Sequence, residues 1–343
     1  MSPARFRAIT SGYADLRIGL VGDFCLDRYL EINPALRETS IETGLPVHNV
    51  VAVRSQPGAA GTILNNLVAL GIGQIDIVGF AGDDGEGLEL VRALQALPRV
   101  NLEYFIQTPQ RRTFTYTKPL LIRPRQPPRE LNRLDFKNWT PTPPSLARRL
   151  AAAVRQLGRQ VDALIVLDQV EQAGTGVVTR PVLDALATLS RRWPTLLIVA
   201  DSRRSLRGFP PVTFKMNATE LARLVGVRRK LSLREIRAYA GRLARRLGRA
   251  VFVTLSELGI LGAAPDGSVV VDPALPVRGP IDIVGAGDAV TANLTAALAA
   301  GASISEALRL ANAAASVVIH QLGTTGTATV RDLRPLVLDL NRP

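Results

Sequence analysis

The chain has 343 residues, 47% of them hydrophobic and 21% charged, a composition that suits a globular protein with a substantial core. Its single cysteine, Cys25, excludes an internal disulfide, and no run of about 18 apolar residues suggests a membrane-crossing helix. The net charge of +13 raises nucleic-acid binding, but the arginines are spread along helical segments and aromatics make up only 5%, so nucleic acid is not expected as a partner.

The start of the chain, Met1-Ser2-Pro3-Ala4-Arg5, lacks a signal-peptide apolar run, and the expected compartment is cytoplasmic. A short apolar run at 18–22 predicts a buried strand ending at Asp23. The next segment, 28–53, behaves differently: 29–32 and 46–53 read as strands with no helix between them. A further buried strand is predicted over 75–80, and alternating β-favouring residues at 112–121 predict another exposed-sheet strand. Together 28–53 and 112–121 suggest a small inserted β-sheet usable as a lid. Proline-rich stretches at 124–128 and 141–144 read as connectors.

Helical periodicity over 146–157, 181–192 and 233–247 alternates with apolar runs at 163–167, 196–200 and 251–255. This alternation predicts an α/β fold, a doubly wound and mostly parallel sheet flanked by helices, with the whole of 1–343 forming one domain. The runs ending at Asp23, Asp168 and Asp201 place polar residues at strand carboxyl ends, where open α/β sheets bind ligands.

Residues 282–288 read Asp-Ile-Val-Gly-Ala-Gly-Asp and open onto a helix-like run from Ala289. Glycines let backbone N–H groups approach an anion, and a helix N-terminus adds partial positive charge. Asp288 is there either a base, taking a proton from a hydroxyl that attacks a phosphate, or an ordinary N-cap. Asn217-Ala218-Thr219-Glu220 has the spacing of a helix capping box. Neither His48 nor His320 belongs to a cluster, so no zinc site is expected, and no P-loop motif occurs.

Taken in order, several stretches carry a family pattern. They are Val21-Gly22-Asp23 with Asp27-Arg28-Tyr29, Gln56-Pro57-Gly58-Ala59-Ala60-Gly61, Val78 to Gly87, Asn217 to Glu220, Asp282 to Asp288, and Ala311 to Ala315. The chain resembles the ribokinase-like (PfkB) carbohydrate kinases from about Leu16 to Val330. Within them it is most similar to heptose-7-phosphate kinases, through 22–29, Asn132-Arg133-Leu134-Asp135 and Gln321-Leu322-Gly323-Thr324. It departs from the pattern at Ala59, where a second glycine is usual, and at Thr62, where an asparagine is expected. Val284 stands for a hydroxyl residue, Ser202 and Arg203 stand for a proline and a lysine, and the stretch after Asp168 lacks a Tyr-x-Lys-Gly.

The resemblance implies an ATP-dependent kinase acting on a sugar or sugar phosphate. It makes Asp288 the general base and the backbone N–H groups of Gly285, Ala286 and Gly287 an anion hole. It gives Asn217 and Glu220 the role of organising Mg2+ through water, and Thr254, Ser256 and Gly259 a nucleotide-side loop. Asn312 lies near the adenine pocket or is a buried helix cap. Asp27 and Gly58 face the sugar, or Asp27 pairs with Arg28 or another arginine. Lys118 and Arg112, on the lid, hold a phosphate of the substrate or face solvent. Asp282 helps hold a monovalent cation such as K+, an expectation weakened by Val284. The inserted sheet implies a homodimer through its edge. A nucleoside or fructose-type kinase, and a catalytically silent binding homologue, are the readings left beside it.

Overall fold

In the computed structural model, which describes residues 1–338, a central sheet is built first from β1 (Arg17–Gly22), β4 (Gln74–Gly82), β5 (Val100–Asn101) and β6 (Phe105–Thr108). It continues with β10 (Ala163–Asp168), β11 (Leu197–Ser202), β12 (Thr213–Asn217), β13 (Val251–Thr254), β14 (Ile260–Ala263) and β15 (Val269–Asp272). The strand order is β15-β14-β13-β12-β11-β10-β1-β4-β5, with β6 also on β4; pairing is parallel up to β13 and antiparallel for the last two strands. The strands are apolar runs because both sheet faces are covered: β10 is buried at every position. The five strand runs expected from the sequence all lie within, or overlap by all but one residue, β1, β4, β10, β11 and β13.

Helices α1 (Pro3–Ser11), α2 (Ala60–Leu70), α3 (Gly85–Gln95), α8 (Ala286–Ala299), α9 (Ile304–Ile319) and α10 (Val330–Val337) contribute to one apolar cluster. Helices α4 (Pro144–Leu157), α5 (Arg180–Arg192), α6 (Ala218–Leu224) and α7 (Leu233–Leu247) build the other. Local chemistry sets their ends. Ser232 and Glu235 form a capping box that starts α7, and Gly248, in the left-handed region, stops it. Pro144 and Pro181 occupy first-turn positions of α4 and α5, where a missing N–H costs nothing.

A second sheet stands apart from the first: β2 (Phe24–Thr39), β3 (Pro46–Ala59), β7 (Phe114–Leu121), β8 (Arg129–Glu130) and β9 (Leu134–Phe136). The β2–β3 hairpin runs from Phe24 opposite Ala59 out to Thr39 opposite Pro46, and β7 lies parallel to β2. The two lid strand pieces at 28–53 are therefore parts of much longer strands, and β8 and β9 add to them. The chain passes from β1 to β4 on one side and to β10 on the other, so the sheet order reverses between β1 and β10, and the lid springs from that point. No helix of the described residues is long and apolar enough to cross a membrane.

Candidate active site

Helix α8 begins at Gly285, whose φ of 84° lets the chain turn sharply from the 282–284 loop into the helix. Asp288 is therefore in the first turn and is not the N-cap, which removes the capping reading. Its carboxylate has no hydrogen bond or ion pair among the described residues. Burial, abetted by the Asp201 and Asp27 carboxylates and opposed by Lys215 and Arg203, pushes its carboxyl up to about 7. A base with that value is half ionised near neutrality and binds a proton readily. The expectation for Ala286 needs correction: its N–H donates to the carbonyl of Ile283 at 3.3 Å, so it is turned away from the hole. The backbone N–H groups of Gly285, Gly287 and Asp288 remain without a backbone partner among the described residues.

One residue that motif reading passed over stands at the centre. Lys215 on β12 is 5% exposed, and its ammonium donates to Asp201 Oδ2 at 2.7 Å. Strand register sets this pair, since Asp201 on β11 lies directly opposite Lys215. The Thr291 hydroxyl of α8 reaches both Asp201 Oδ2, at 3.2 Å, and the Gly287 carbonyl, at 3.0 Å. Burial opposes the lysine charge, but the Asp201 carboxylate outweighs it and the ammonium is held above its ordinary value. The available signal was a lysine inside a strand otherwise buried on both faces, two residues before Asn217, which demands a partner.

On the lid side, Asp27 is buried and its carboxylate faces the Lys118 ammonium at 3.4 Å; Lys118 also donates to the Tyr29 hydroxyl at 3.3 Å. Burial raises the Asp27 carboxyl, with Lys118 pulling it back. The arginine partner considered for Asp27 is not formed, because Arg28 faces Glu89 at 3.6 Å. Gly58 pairs with Cys25 across the hairpin, and a Cβ there would overlap the Asp27 carboxylate and lie 2.8 Å from the Cys25 sulfur. A side chain at 58 would thus displace Asp27. Ala59 follows with φ 54° and ψ −115°, a conformation that suits glycine. Arg112 lies elsewhere: it faces Asp84 at 3.6 Å and Glu86 at 3.7 Å at the start of α3 and is not brought to the Asp27–Lys118 pair.

On the other side of Asp288, Asn217 and Glu220 form a complete capping box on α6, Asn217 Oδ1 accepting the Glu220 N–H and Glu220 Oε2 accepting the Asn217 N–H. Glu220 Oε1 stays available, and burial with the nearby Asp201 raises this carboxyl. A groove of about 1000 Å³ runs from Asn217 and Thr219 past Arg229 to Thr254, Ser256 and Glu257. Gly259 lies just beyond the lining residue Leu258, and its φ of 96° and the close approach of the Asp272 carbonyl both exclude a Cβ. Asn312 is drawn away from the groove: its amide donates to the Asp272 carbonyl at 2.8 Å and to Asp272 Oδ2 at 2.6 Å, tying α9 to β15. Asp282 spends Oδ1 on the Val284 N–H at 3.0 Å, and the exposed Val284 side chain brings no oxygen. These residues make a poor monovalent-cation site. Among the described residues no three His, Cys, Asp or Glu side chains gather as a metal cluster; Glu220 Oε1 is an oxygen that could help organise a hydrated divalent cation.

Strand-end carboxylates, a second sheet that springs from the topological switch point, and an open helix N-terminus carrying a carboxyl near 7 make one candidate anion-handling site in an α/β body. Residues 204–330 match the model of the pfkB family carbohydrate kinases. Similar proteins include the bifunctional protein HldE of Rhodospirillum rubrum, 33% identical over 92% of this chain and 61% of that protein. The bifunctional protein HldE of Gluconacetobacter diazotrophicus is 28% identical over 96% of this chain and 64% of that protein. The chain thus spans less than two thirds of the length of these relatives. In fold it is similar to the phosphofructokinase-2 of Escherichia coli in complex with potassium (TM-score 0.71, 19% identity, 95% of this chain and 100% of that one). It is likewise similar to the Arabidopsis thaliana ribokinase complexed with ribose and ATP (TM-score 0.66, 19% identity, 94% and 98%). The fold is ribokinase-like.

Proposed function

We propose that the protein is an ATP-dependent kinase that moves the γ-phosphoryl group onto a hydroxyl of a sugar or sugar phosphate, with heptose 7-phosphate the first acceptor to try. The observation that carries this reading is the unpaired Asp288 carboxyl, raised to about 7, in the first turn of α8 beside open N–H donors and the Lys215 ammonium. The resemblance of 22–29, 132–135 and 321–324 to heptose-7-phosphate kinases favours a heptose phosphate among acceptors. The α/β body and its lid act in this reading as one catalytic unit.

Asp27, locked by Lys118 and given room by Gly58, accepts hydrogen bonds from acceptor hydroxyls under the lid. Asp288 takes the proton of the attacking hydroxyl as its oxygen bonds to phosphorus and the bond to ADP breaks. The N–H groups of Gly285, Gly287 and Asp288, with the α8 dipole, stabilise charge on the moving group. ATP lies along the Asn217–Glu257 groove, and Mg2+ supplies charge neutralisation on its phosphates when bound. The lid edge strand β3 exposes Val50, Val51 and Val53, which suits pairing with a second copy of the chain.

The test is ADP release with ATP over a panel of heptose phosphates, hexose phosphates, free sugars and nucleosides. We expect acceptor-dependent turnover with a sugar phosphate, lost in Asp288→Asn. No acceptor raising ADP release above background, together with an unaltered Asp288→Asn, would sink the reading.

A further inference from the structure

We propose that Lys215 is the side-chain cation of the anion hole and contacts the γ-phosphoryl group directly. The inference rests on the kinase reading and deepens it. Lys215 does not belong to the glycine loop; it arrives from β12, held by the strand register that sets Asp201 opposite it. The ammonium carries three N–H donors, and Asp201 Oδ2 is its one hydrogen-bond partner among the described residues. At 5% exposure the other two donors are largely cut off from solvent, a costly state unless a ligand meets them.

Their direction is set by a second observation. The Lys215 nitrogen lies 3.3 Å from the place a Cβ on Gly287 would occupy, so the ammonium sits over the first turn of α8. That is the turn whose Gly287 and Asp288 N–H groups have no backbone partner, and from which the Ala286 N–H has been withdrawn. Thr291, one turn on, shares Asp201 Oδ2 with Lys215 and bonds the Gly287 carbonyl, which braces the lysine against the helix. A point cation and open N–H groups thus converge on one small volume next to the Asp288 carboxylate. A phosphoryl group fits that arrangement: its oxygens take the Lys215 and backbone donors, and its phosphorus faces the hydroxyl that Asp288 deprotonates. Lys215 keeps its protons throughout; the hydroxyl proton goes to Asp288 and the leaving oxygen stays on ADP. The same geometry gives Gly287 its reason, because a side chain there would press on the ammonium.

A purely structural Lys215–Asp201 pair would support folding and leave nucleotide preference unchanged, so binding decides between the two. Calorimetric titration with ATP and with ADP, at fixed Mg2+ and without acceptor, is compared among wild type, Lys215→Met and the double variant Asp201→Asn/Lys215→Met. The double variant leaves no buried charge unpaired and serves where the single variant loses its fold. We expect ATP affinity to fall about tenfold relative to ADP in the folded variants, the loss of one charge-assisted phosphate contact, with ADP affinity nearly unchanged. Turnover with the best acceptor should fall about 100-fold or more. An unchanged ATP-to-ADP ratio in a folded variant overturns the assignment while leaving the kinase reading intact. A wild-type protein that binds neither nucleotide overturns both.

Discussion

Asp288 is useful as a base because of where it sits. A surface aspartate is ionised at neutral pH but too weakly basic to draw a proton from a sugar hydroxyl; burial corrects that by pushing the carboxyl up to about 7. Turnover should therefore rise with pH through a single ionisation near 7 and level off above it. Asp288→Asn should lower kcat by about a thousandfold or more and leave a residual rate that no longer follows that ionisation, measured by ADP release from pH 5.5 to 9. Two neighbouring residues at the end of β3 predict opposite outcomes from small changes. Gly58→Ala forces the Asp27 carboxylate aside and should raise the acceptor KM about tenfold or more, with ATP KM little changed. Ala59→Gly relieves a backbone at φ 54° and should stabilise the protein by about 1 kcal/mol, read as a higher urea midpoint with the slope unchanged.

At the scale of elements, one carboxylate gathers the two ends of the loop between β10 and α5, while Arg111 and Thr142 bond the carbonyls of its middle. Asp23, at the switch point after β1, accepts the N–H groups of Gln169 at 2.9 Å, Val170 at 3.3 Å and Val177 at 2.7 Å. Gly176 packs against the same carboxylate, leaving no room for a side chain. Asp23→Ala leaves these donors unpaired and should cost about 2–4 kcal/mol, with amide exchange accelerated first across 169–177. An Asp23→Ala variant that exchanges uniformly across the chain would show that the carboxylate clamps no particular loop. This role was not legible in the sequence, where Asp23 reads only as a polar strand end. The parallel strands and capped helices were legible because long apolar runs, Ser232 with Glu235, and Gly248 are local signals. The second sheet was legible as three strand pieces but not in its width, because β8 and β9 hold two and three residues and show no period. The motif residues Asp288, Asp27 and Gly58 were legible through the family pattern. Lys215 and the withdrawal of the Ala286 N–H were not, since strand register and helix-start geometry decide them. Asn312, in a matching stretch, and Arg112, on an expected lid strand, show the converse: their hydrogen bonds or ion pairs go to Asp272 and to Asp84.

For the whole molecule, the buried carboxyls set stability and activity against each other along the pH axis. Asp288 and Asp23 lie near 7 in the folded state, both chiefly through burial, Asp23 also through Asp168. Unfolded aspartates titrate near about 3.9, so these two favour folding fully below that value, and the contribution is lost as pH rises through about 7. Other carboxyls pull the opposite way. Hydrogen bonding to Arg5 lowers Glu306 to about 2, and at Asp76 the Arg17 and Asn101 bonds outweigh burial. Their contribution is present above about 4.5 and lost as pH falls through the folded values. Protonation in acid also enlarges a net charge already at +13, which strains the compact state. The melting temperature should therefore peak between about pH 4.5 and 6 and decline toward pH 8, where turnover is rising. Asp288→Asn separates the contributions, because an amide has no ionisation to suppress. It should raise stability at pH 8 by on the order of 1–2 kcal/mol, a gain tempered because the side chain is only partly shielded from solvent, and change it little at pH 4.5. Thermal melts at constant ionic strength decide this: an equal gain at both pH values would mean that the residue destabilises the fold through packing and not through its charge.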